Sequence, residues 1–361
     1  MTDAPTIAVF AGDGIGVEVT DAAMQAVSAL ERRFNFKINA THYDGGAAYY
    51  AKTGKELADG AMDAAGAADA ILLGAMGLPD IRLPDGTEVS PHLKMRDRFG
   101  LFAGVRPVKK YPNTPTPLGD PRADAIDLII LRESTEGLFA SAGKGTVEGD
   151  AVARDTLVIT RATSEKLFDV AFDLARKRRA AGKGHNRVTC VDKANVFVSM
   201  AFFRKIFDER AAQNTDVDVD YSYVDAAALN LVRRPWDFDV LVMENMFADI
   251  LSDLGGGLVG GMGMAPCAEI GLEHALFQPA HGSAPDIAGQ GKANPTAMLV
   301  SAAMMLEHIG MKRGDDAISA AGAALDAAVT QAYADKAVHP FEFGGETGTQ
   351  AFTDAVLERI G

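Results

Sequence analysis

Residues 6–16 read T-I-A-V-F-A-G-D-G-I-G. Thr6 to Phe10 is a short, mostly apolar run that suits a buried strand. Gly12, Gly14 and Gly16 end it in a tight turn. From Val17 to Phe34 the period changes. Val19, Ala22, Ala23, Ala26, Val27 and Leu30 recur every three or four positions and mark one face of a helix. Strand, glycine turn and amphipathic helix together open a βα unit.

Further apolar runs at Ala70–Leu73, Ile126–Leu131, Val188–Val191 and Val240–Met243 alternate with longer helical stretches. The expected class is α/β, with sheets covered by helices. Phe139 to Thr160 breaks this rhythm. Turn residues around Gly143, Gly145 and Gly149 precede T-L-V-I-T, which reads as a β arm. Pro112 to Pro121 holds four prolines and reads as a surface connection. The chain shows no internal repeat and no low-complexity tract.

The glycine turn leaves two readings open. Its spacing departs from G-x-G-x-x-G, because the third glycine comes one residue early. Nor does an acidic residue close a second strand about 20 residues on. It is either a steric strand-to-helix turn or a cofactor contact.

The 361 residues allow two or three domains with ample core. Hydrophobic residues are 48% and charged residues 23%, which argues against a mostly disordered chain. Acidic residues outnumber basic ones 49 to 35, a net charge of −14. Such a surface repels nucleic acid and anionic membrane, so neither is an expected partner. The two cysteines, Cys190 and Cys267, read as reduced thiols. Met1-Thr2-Asp3-Ala4-Pro5 lacks the features of a signal peptide, and no apolar run reaches the roughly 18 residues of a membrane span. The expected location is cytoplasmic.

Within this acidic chain, arginines sit at telling places. Arg106 lies in F-A-G-V-R-P and Arg132 ends I-I-L-R-E-S. Arg96 and Arg98 lie in K-M-R-D-R. An arginine at a strand end can bind carboxylates with both arms of its fork, and several together would hold a polycarboxylate. Arg98, beside Asp97, is the weakest member. In E-N-M-F-A-D-I-L-S-D-L, Asp249 and Asp253 stand four residues apart and share a helix face. Met246, Phe247, Ile250, Leu251 and Leu254 make that helix otherwise apolar. Two like charges there suit a hard cation, Mg²⁺ or Mn²⁺, with Asp225 after Y-S-Y-V as a third carboxylate. Lys193, just past an apolar run in V-D-K-A-N, is a candidate base. The loop H-G-S-A-P-D-I-A-G, His281 to Gly289, offers backbone donors for phosphate and a carboxylate for a ribose diol.

These pieces resemble the β-decarboxylating dehydrogenases, a family of 3-isopropylmalate, isocitrate, homoisocitrate and tartrate/D-malate dehydrogenases. The motifs that carry the resemblance are V-D-K-A-N-V, N-M-F-A-D-I-L-S-D and H-G-S-A-P-D-I-A-G-Q-G-K-A-N-P. It extends from G-D-G-I-G to G-T-Q-A-F. It implies a two-domain fold with central mixed sheets and a β arm, not a true Rossmann fold. A discontinuous cofactor-binding domain would take residues 1–101 and 260–361. A dimerisation and substrate/metal domain would take 102–259. The implied assembly is a homodimer with shared active sites, in which Lys193, Asn195 and Asp225 reach the neighbouring subunit's site. By the same resemblance Arg96, Arg106, Arg132, Ser90, His92 and Asn195 bind the substrate. Asp225, Asp249 and Asp253 bind the metal, and Lys193 and Asp225 are catalytic. Ile15, His281, Gly282, Ala284, Asp286, Asn294 and Glu342 contact the cofactor. Asp286 would accept the adenosine ribose hydroxyls and repel a 2′-phosphate, which implies NAD over NADP.

The implied reaction is NAD- and metal-dependent oxidation, with decarboxylation, of a 3-carboxy-2-hydroxy acid of the isopropylmalate type. Three residues depart from the family. Phe139 replaces the tyrosine that ends R-E-x-x-x-G-x-Y, a residue to which the resemblance assigns acid/base work in decarboxylation. Gln278 stands where many members carry glutamate. His92 stands where isopropylmalate enzymes carry leucine. These departures keep two alternatives open: a non-decarboxylating or tartrate/D-malate/homoisocitrate-type dehydrogenase, and a regulatory or ligand-binding subunit.

Overall fold

The computed structural model describes residues 3–361. In chain order its first elements are β1 (Thr6–Gly12), α1 (Gly16–Phe34), β2 (Asn39–His42), α2 (Ala47–Thr53), α3 (Ala61–Ala67), β3 (Ala70–Ala75) and α4 (Pro91–Arg98). Next come β4 (Ala103–Lys109), β5 (Asp127–Glu133), β6 (Thr146–Glu148), β7 (Val152–Arg154), α5 (Arg161–Ala180), β8 (Arg187–Asp192) and α6 (Val198–Ala211). They are followed by β9 (Asp218–Tyr223), α7 (Val224–Arg233), β10 (Val240–Met243) and α8 (Asn245–Leu258). The chain closes with β11 (Pro266–Ile270), β12 (Ala275–Pro279), α9 (Thr296–Arg313), α10 (Asp316–Ala334) and α11 (Thr349–Ile360).

One compact unit takes the chain up to Phe99, Tyr111–Pro115 and Gly260–Gly361. Its strands run in the order β2-β1-β3-β12-β11. They pair in parallel except for β11, which is antiparallel to β12. Ile7, Ala8, Val9 and Phe10 are buried, as a strand covered on both faces requires. The edge strand β2 is exposed at every residue, so it carries no apolar period and is silent in the sequence. Part of the expected surface connection is not surface. Thr114 is buried within it, and Tyr111, just before it, packs its ring 5.6 Å from that of Tyr333. Asn113, in left-handed backbone, donates to the Tyr333 carbonyl.

The other unit takes Gly100–Lys110 and Thr116–Val259. Its strand order is β4-β5-β10-β8-β9, parallel except for the β4–β5 pair. Arg106 lies inside β4, opposite Ile130, and not at a strand end. The expected arm is an antiparallel hairpin of β6 and β7, with Val147 74% exposed. Cys190 lies at the centre of β8, where burial pushes its thiol well above the ordinary value. Cys267, on β11, is also buried and in no disulfide. No helix among the described residues is long and apolar enough to cross a membrane.

The glycine turn is held by close backbone approach. Gly12 and Gly14 have positive φ, and a Cβ at either would stand 2.0 Å from a carbonyl oxygen, of Ala75 and Ser283 respectively. Between them the buried Asp13 carboxylate accepts from the Ala47, Ala48 and Gly77 amides at 2.7, 2.8 and 2.9 Å. It therefore caps α2 and ties the turn to the segment after β3.

Removing that carboxylate leaves three amides without an acceptor, at about 1–3 kcal/mol for each one that stays buried. Asp13→Ala is expected to destabilise the protein by on the order of 3 kcal/mol or more. The check is the urea midpoint followed by far-UV circular dichroism. A wild-type midpoint would show that the turn stands without its carboxylate.

Candidate active site

The second unit carries the densest cluster of predicted site residues, built on one face of α8. Glu244 caps this helix, accepting from the Met246 and Phe247 amides at 3.1 and 2.9 Å. Burial raises its carboxyl, while those amides pull it down. Asn245, Asp249 and Ser252 then follow at helical spacing and point at the strand arginines. Asn245 Oδ1 accepts from Arg132 Nε and Nη2 at 2.9 and 2.6 Å. Asp249 Oδ1 accepts from Arg132 Nη1 and lies 3.7 Å from Arg106 Nη1. Ser252 Oγ accepts from Arg106 Nη1 at 2.6 Å. Both arginines are buried. Two guanidinium groups with an acidic neighbour, fixed by a rigid helix, present directional donors to a carboxylate.

Asp253, one turn on, is exposed. Desolvation raises its carboxyl, with Arg106 opposing the rise and Asp249 adding to it. Ile250 is 61% exposed, so the expectation of an apolar surrounding for the two aspartates needs correction. Asp249 is balanced by arginines and Asp253 by solvent. Among the described residues no three His, Cys, Asp or Glu groups gather as a metal-ligating set. Asp249 and Asp253 fit a cation that is bound by one or two carboxylates and completed by water and substrate oxygens.

Asp225 sits in the first turn of α7 and accepts from Lys193 Nζ, whose hydrogen bond holds its carboxyl below the ordinary value. Lys193 follows β8 in a loop pinned by Asp192. That buried carboxylate accepts from the Ala194 amide at 2.8 Å and from both arms of Arg204, at 2.6 and 3.0 Å. Asn195 is exposed, beside Val196, Phe197 and Val198. Phe139 is half-exposed, with its ring 4.9 Å from the Arg132 guanidinium.

The first unit carries the predicted cofactor residues. Ile15 is buried and its amide donates to the Ser283 carbonyl at 2.8 Å. His281 Nδ1 lies 2.9 Å from the Gly282 carbonyl, and its Nε2 is buried without a hydrogen-bond partner. Desolvation lowers the His281 pKa, so the ring is neutral at pH 7. Ala284 has φ 36, Gly282 has open space around it, and the Asp286 side chain is exposed. Glu342 is drawn inward. It accepts from the Gly263 amide at 3.0 Å and from Asn294 Nδ2 at 2.9 Å. Asn294 Oδ1 in turn accepts from the Thr296 hydroxyl at 2.7 Å. An unsatisfied imidazole nitrogen, a neutral glycine-rich loop and an exposed aspartate fit an adenine dinucleotide.

Ser90 precedes α4, and His92 lies in its first turn. Arg96, in the last turn, is buried and pairs with Glu269 at 2.8 Å, whereas Arg98 pairs on the surface with Asp63. Gln278 is buried on β12 opposite Cys267. Sequence reasoning passed over Asn245, Ser252 and Glu269. The first two had a signal, polar residues at i, i+4 and i+7 in an apolar helix. Glu269 had none beyond being a lone acid in P-C-A-E-I.

Comparison with known proteins identifies the family. The profile of the isocitrate/isopropylmalate dehydrogenase family matches residues 6–356. A 3-isopropylmalate/3-methylmalate dehydrogenase of Methanocaldococcus jannaschii is 38% identical over 98% of both chains. A 3-isopropylmalate dehydrogenase of Thermobifida fusca is 37% identical over 98% of this chain and 97% of its own. Among solved structures, an isocitrate dehydrogenase from Methylococcus capsulatus is 34% identical, covers 99% of both chains and has a TM-score of 0.85. A β-decarboxylating dehydrogenase from Thermococcus kodakarensis is 32% identical, with 99% and 96% covered and a TM-score of 0.78. The chain belongs to the isocitrate/isopropylmalate dehydrogenase family, oxidoreductases that act on the CH–OH group of a hydroxy acid.

Proposed function

We propose that this chain oxidises 3-isopropylmalate or a close 3-carboxy-2-hydroxy acid, using NAD and Mg²⁺ or Mn²⁺, and that the oxidation leads to decarboxylation. The observation that carries the reading is the pair of buried arginines, Arg106 and Arg132, set against Asp249 on α8. Arg96, Arg106 and Arg132 bind the substrate carboxylates, with Ser90, His92 and Asn195 contacting the rest of the acid. Asp249 and Asp253, with Asp225, hold the cation. Ile15, His281, Gly282, Ala284 and Asp286 hold the dinucleotide. Asp286 disfavours a 2′-phosphate, and Asn294 and Glu342, joined by a hydrogen bond, complete the cofactor contacts. When bound, the nicotinamide accepts hydride and the cation acts as a Lewis acid at the substrate oxygens.

Lys193 and Asp225, already joined by a hydrogen bond, form the proton-accepting pair for the C2 hydroxyl. Oxidation leaves a ketone β to the C3 carboxylate. Arg132 and Arg106 hold that group in place until carbon dioxide leaves. A general acid at the ketone oxygen takes up the electron pair as carbon dioxide leaves, and Phe139 has no proton to give there. The working unit is a cytoplasmic homodimer with shared sites. Val196, Phe197 and Val198 (88% exposed), with Leu229, Val232 and Ile250, supply apolar surface that a second copy would cover.

The purified chain with Mn²⁺ should form NADH on 3-isopropylmalate when assayed beside isocitrate, homoisocitrate, D-malate and tartrate. NAD should outperform NADP, and Asp253→Ala should lose most turnover while staying folded. If the chain alone oxidises none of these acids, the regulatory-subunit alternative replaces this reading.

Mixing inactive Lys193→Ala and Asp253→Ala proteins tests the shared site. Statistical reassortment gives heterodimers with one intact site, so about a quarter of wild-type turnover should return. Verified subunit exchange without recovery would place Lys193 in its own subunit's site.

Phe139→Tyr restores an aromatic hydroxyl. A positioned general acid is worth about 10²–10⁴-fold, so carbon dioxide release should speed up relative to the first NADH burst. Release already in step with the burst in wild type, and unchanged in the variant, would mean that another group supplies the proton.

A further inference from the structure

Glu269 is a fully buried carboxylate that the mechanism above does not use. It lies on β11 inside the run P-C-A-E-I. In the antiparallel register, Cys267 faces Gln278 and Glu269 faces Leu276. Directly opposed residues share a sheet face, as do residues two apart on one strand. Gln278, Cys267 and Glu269 therefore form a buried polar strip on one side of the sheet. Cys267 Sγ donates to Glu269 Oε1 at 3.5 Å, and the same oxygen lies 2.8 Å from Arg96 Nη2. Arg96 is itself buried, and its Nε makes no hydrogen bond among the described residues.

A charge taken out of water needs a partner and good geometry. Glu269 gives Arg96 both at one end of the guanidinium. The plane of a guanidinium is rigid, so fixing one nitrogen orients the remaining donors. The pair also has no net charge. It meets an incoming carboxylate with aimed N–H groups and without a full positive field.

We infer that Glu269 is a positioning residue for substrate binding, holding Arg96 in the orientation that receives a substrate carboxylate. The inference rests on the reading of Arg96 as a substrate-binding residue. Positioning of this kind sets affinity for the acid and leaves the hydride step and the dinucleotide alone.

The test is steady-state kinetics with NAD, Mn²⁺ and 3-isopropylmalate, or whichever acid of the panel above gives the highest kcat/KM. Glu269→Gln keeps the side-chain shape and removes the charge. KM for the acid should rise on the order of tenfold, while kcat and KM for NAD stay within about twofold. On an Arg96→Ala background the same substitution should add little, because the two residues act as a unit. Equal effects with and without Arg96 would overturn the inference. So would a loss shared by kcat and both KM values, which is the mark of a merely structural group. If Arg96→Ala leaves KM for the acid unchanged, the substrate role of Arg96 falls, and this inference with it. If Arg96→Ala raises KM and Glu269→Gln does not, only this inference falls. Should Glu269→Gln not fold, Glu269→Asp keeps the charge but withdraws it by one methylene. The same split is then expected, and a wild-type KM would overturn the inference.

Discussion

Burying a guanidinium strips it of water, and the loss is tolerable only when carboxylates or other acceptors replace that water. Arg96, Arg106, Arg132 and Arg178 are all buried here, each close to a carboxylate: Glu269, Asp249, Asp249 again, and Asp239 with Asp127. This constraint decides much of the local architecture. The polar stripe of α8 exists because two strand arginines face it. Glu244 caps that helix and Asn245 completes the fork on Arg132. Arg178 does similar work away from the site, where Asp239 also accepts the His185 and Arg187 amides.

The same arrangement sets what the site can do. Arginines already paired with acids on the protein offer geometry more than raw charge, which suits an acidic chain that must still admit a polycarboxylate. The Lys193–Asp225 contact shows a related economy of parts. A loop anchored by Asp192 carries the lysine, and a helix start carries its acid, so each is fixed by backbone-level structure and not by the other alone.

Much of this was legible in the sequence because the physics is local. The buried strands β1, β3, β5, β8 and β10 announce themselves as apolar runs, and α1 announces itself by its period. The edge strand β2 does not, since nothing in N-A-T-H is buried. Asp249 and Asp253 were readable from helical spacing. The partners of the arginines were harder, because Arg132 meets Asn245 across 113 positions and Arg96, on α4, meets Glu269, far along the chain on β11. The family resemblance implies Glu342 as a cofactor contact, but its carboxylate is engaged by Gly263 and Asn294, a closure that no spacing rule announces. The glycine turn was open between two roles. Its close contacts with Ala75 and Ser283 and the three bonds of Asp13 give it a steric and capping role in the folded chain.

The placement of the two cysteines has a consequence for chemistry in the cell. Oxidants and alkylating agents attack the thiolate, and access matters as much as ionisation. Cys190 has neither, being sealed in β8 beside Asp192 with its proton held tightly. Cys267 is equally shut away. While the sheets stay closed, neither sulfur can serve as a redox sensor. Thiol reactivity in this protein is therefore a clock for opening of the fold, silent in the working enzyme and audible only when a strand comes apart.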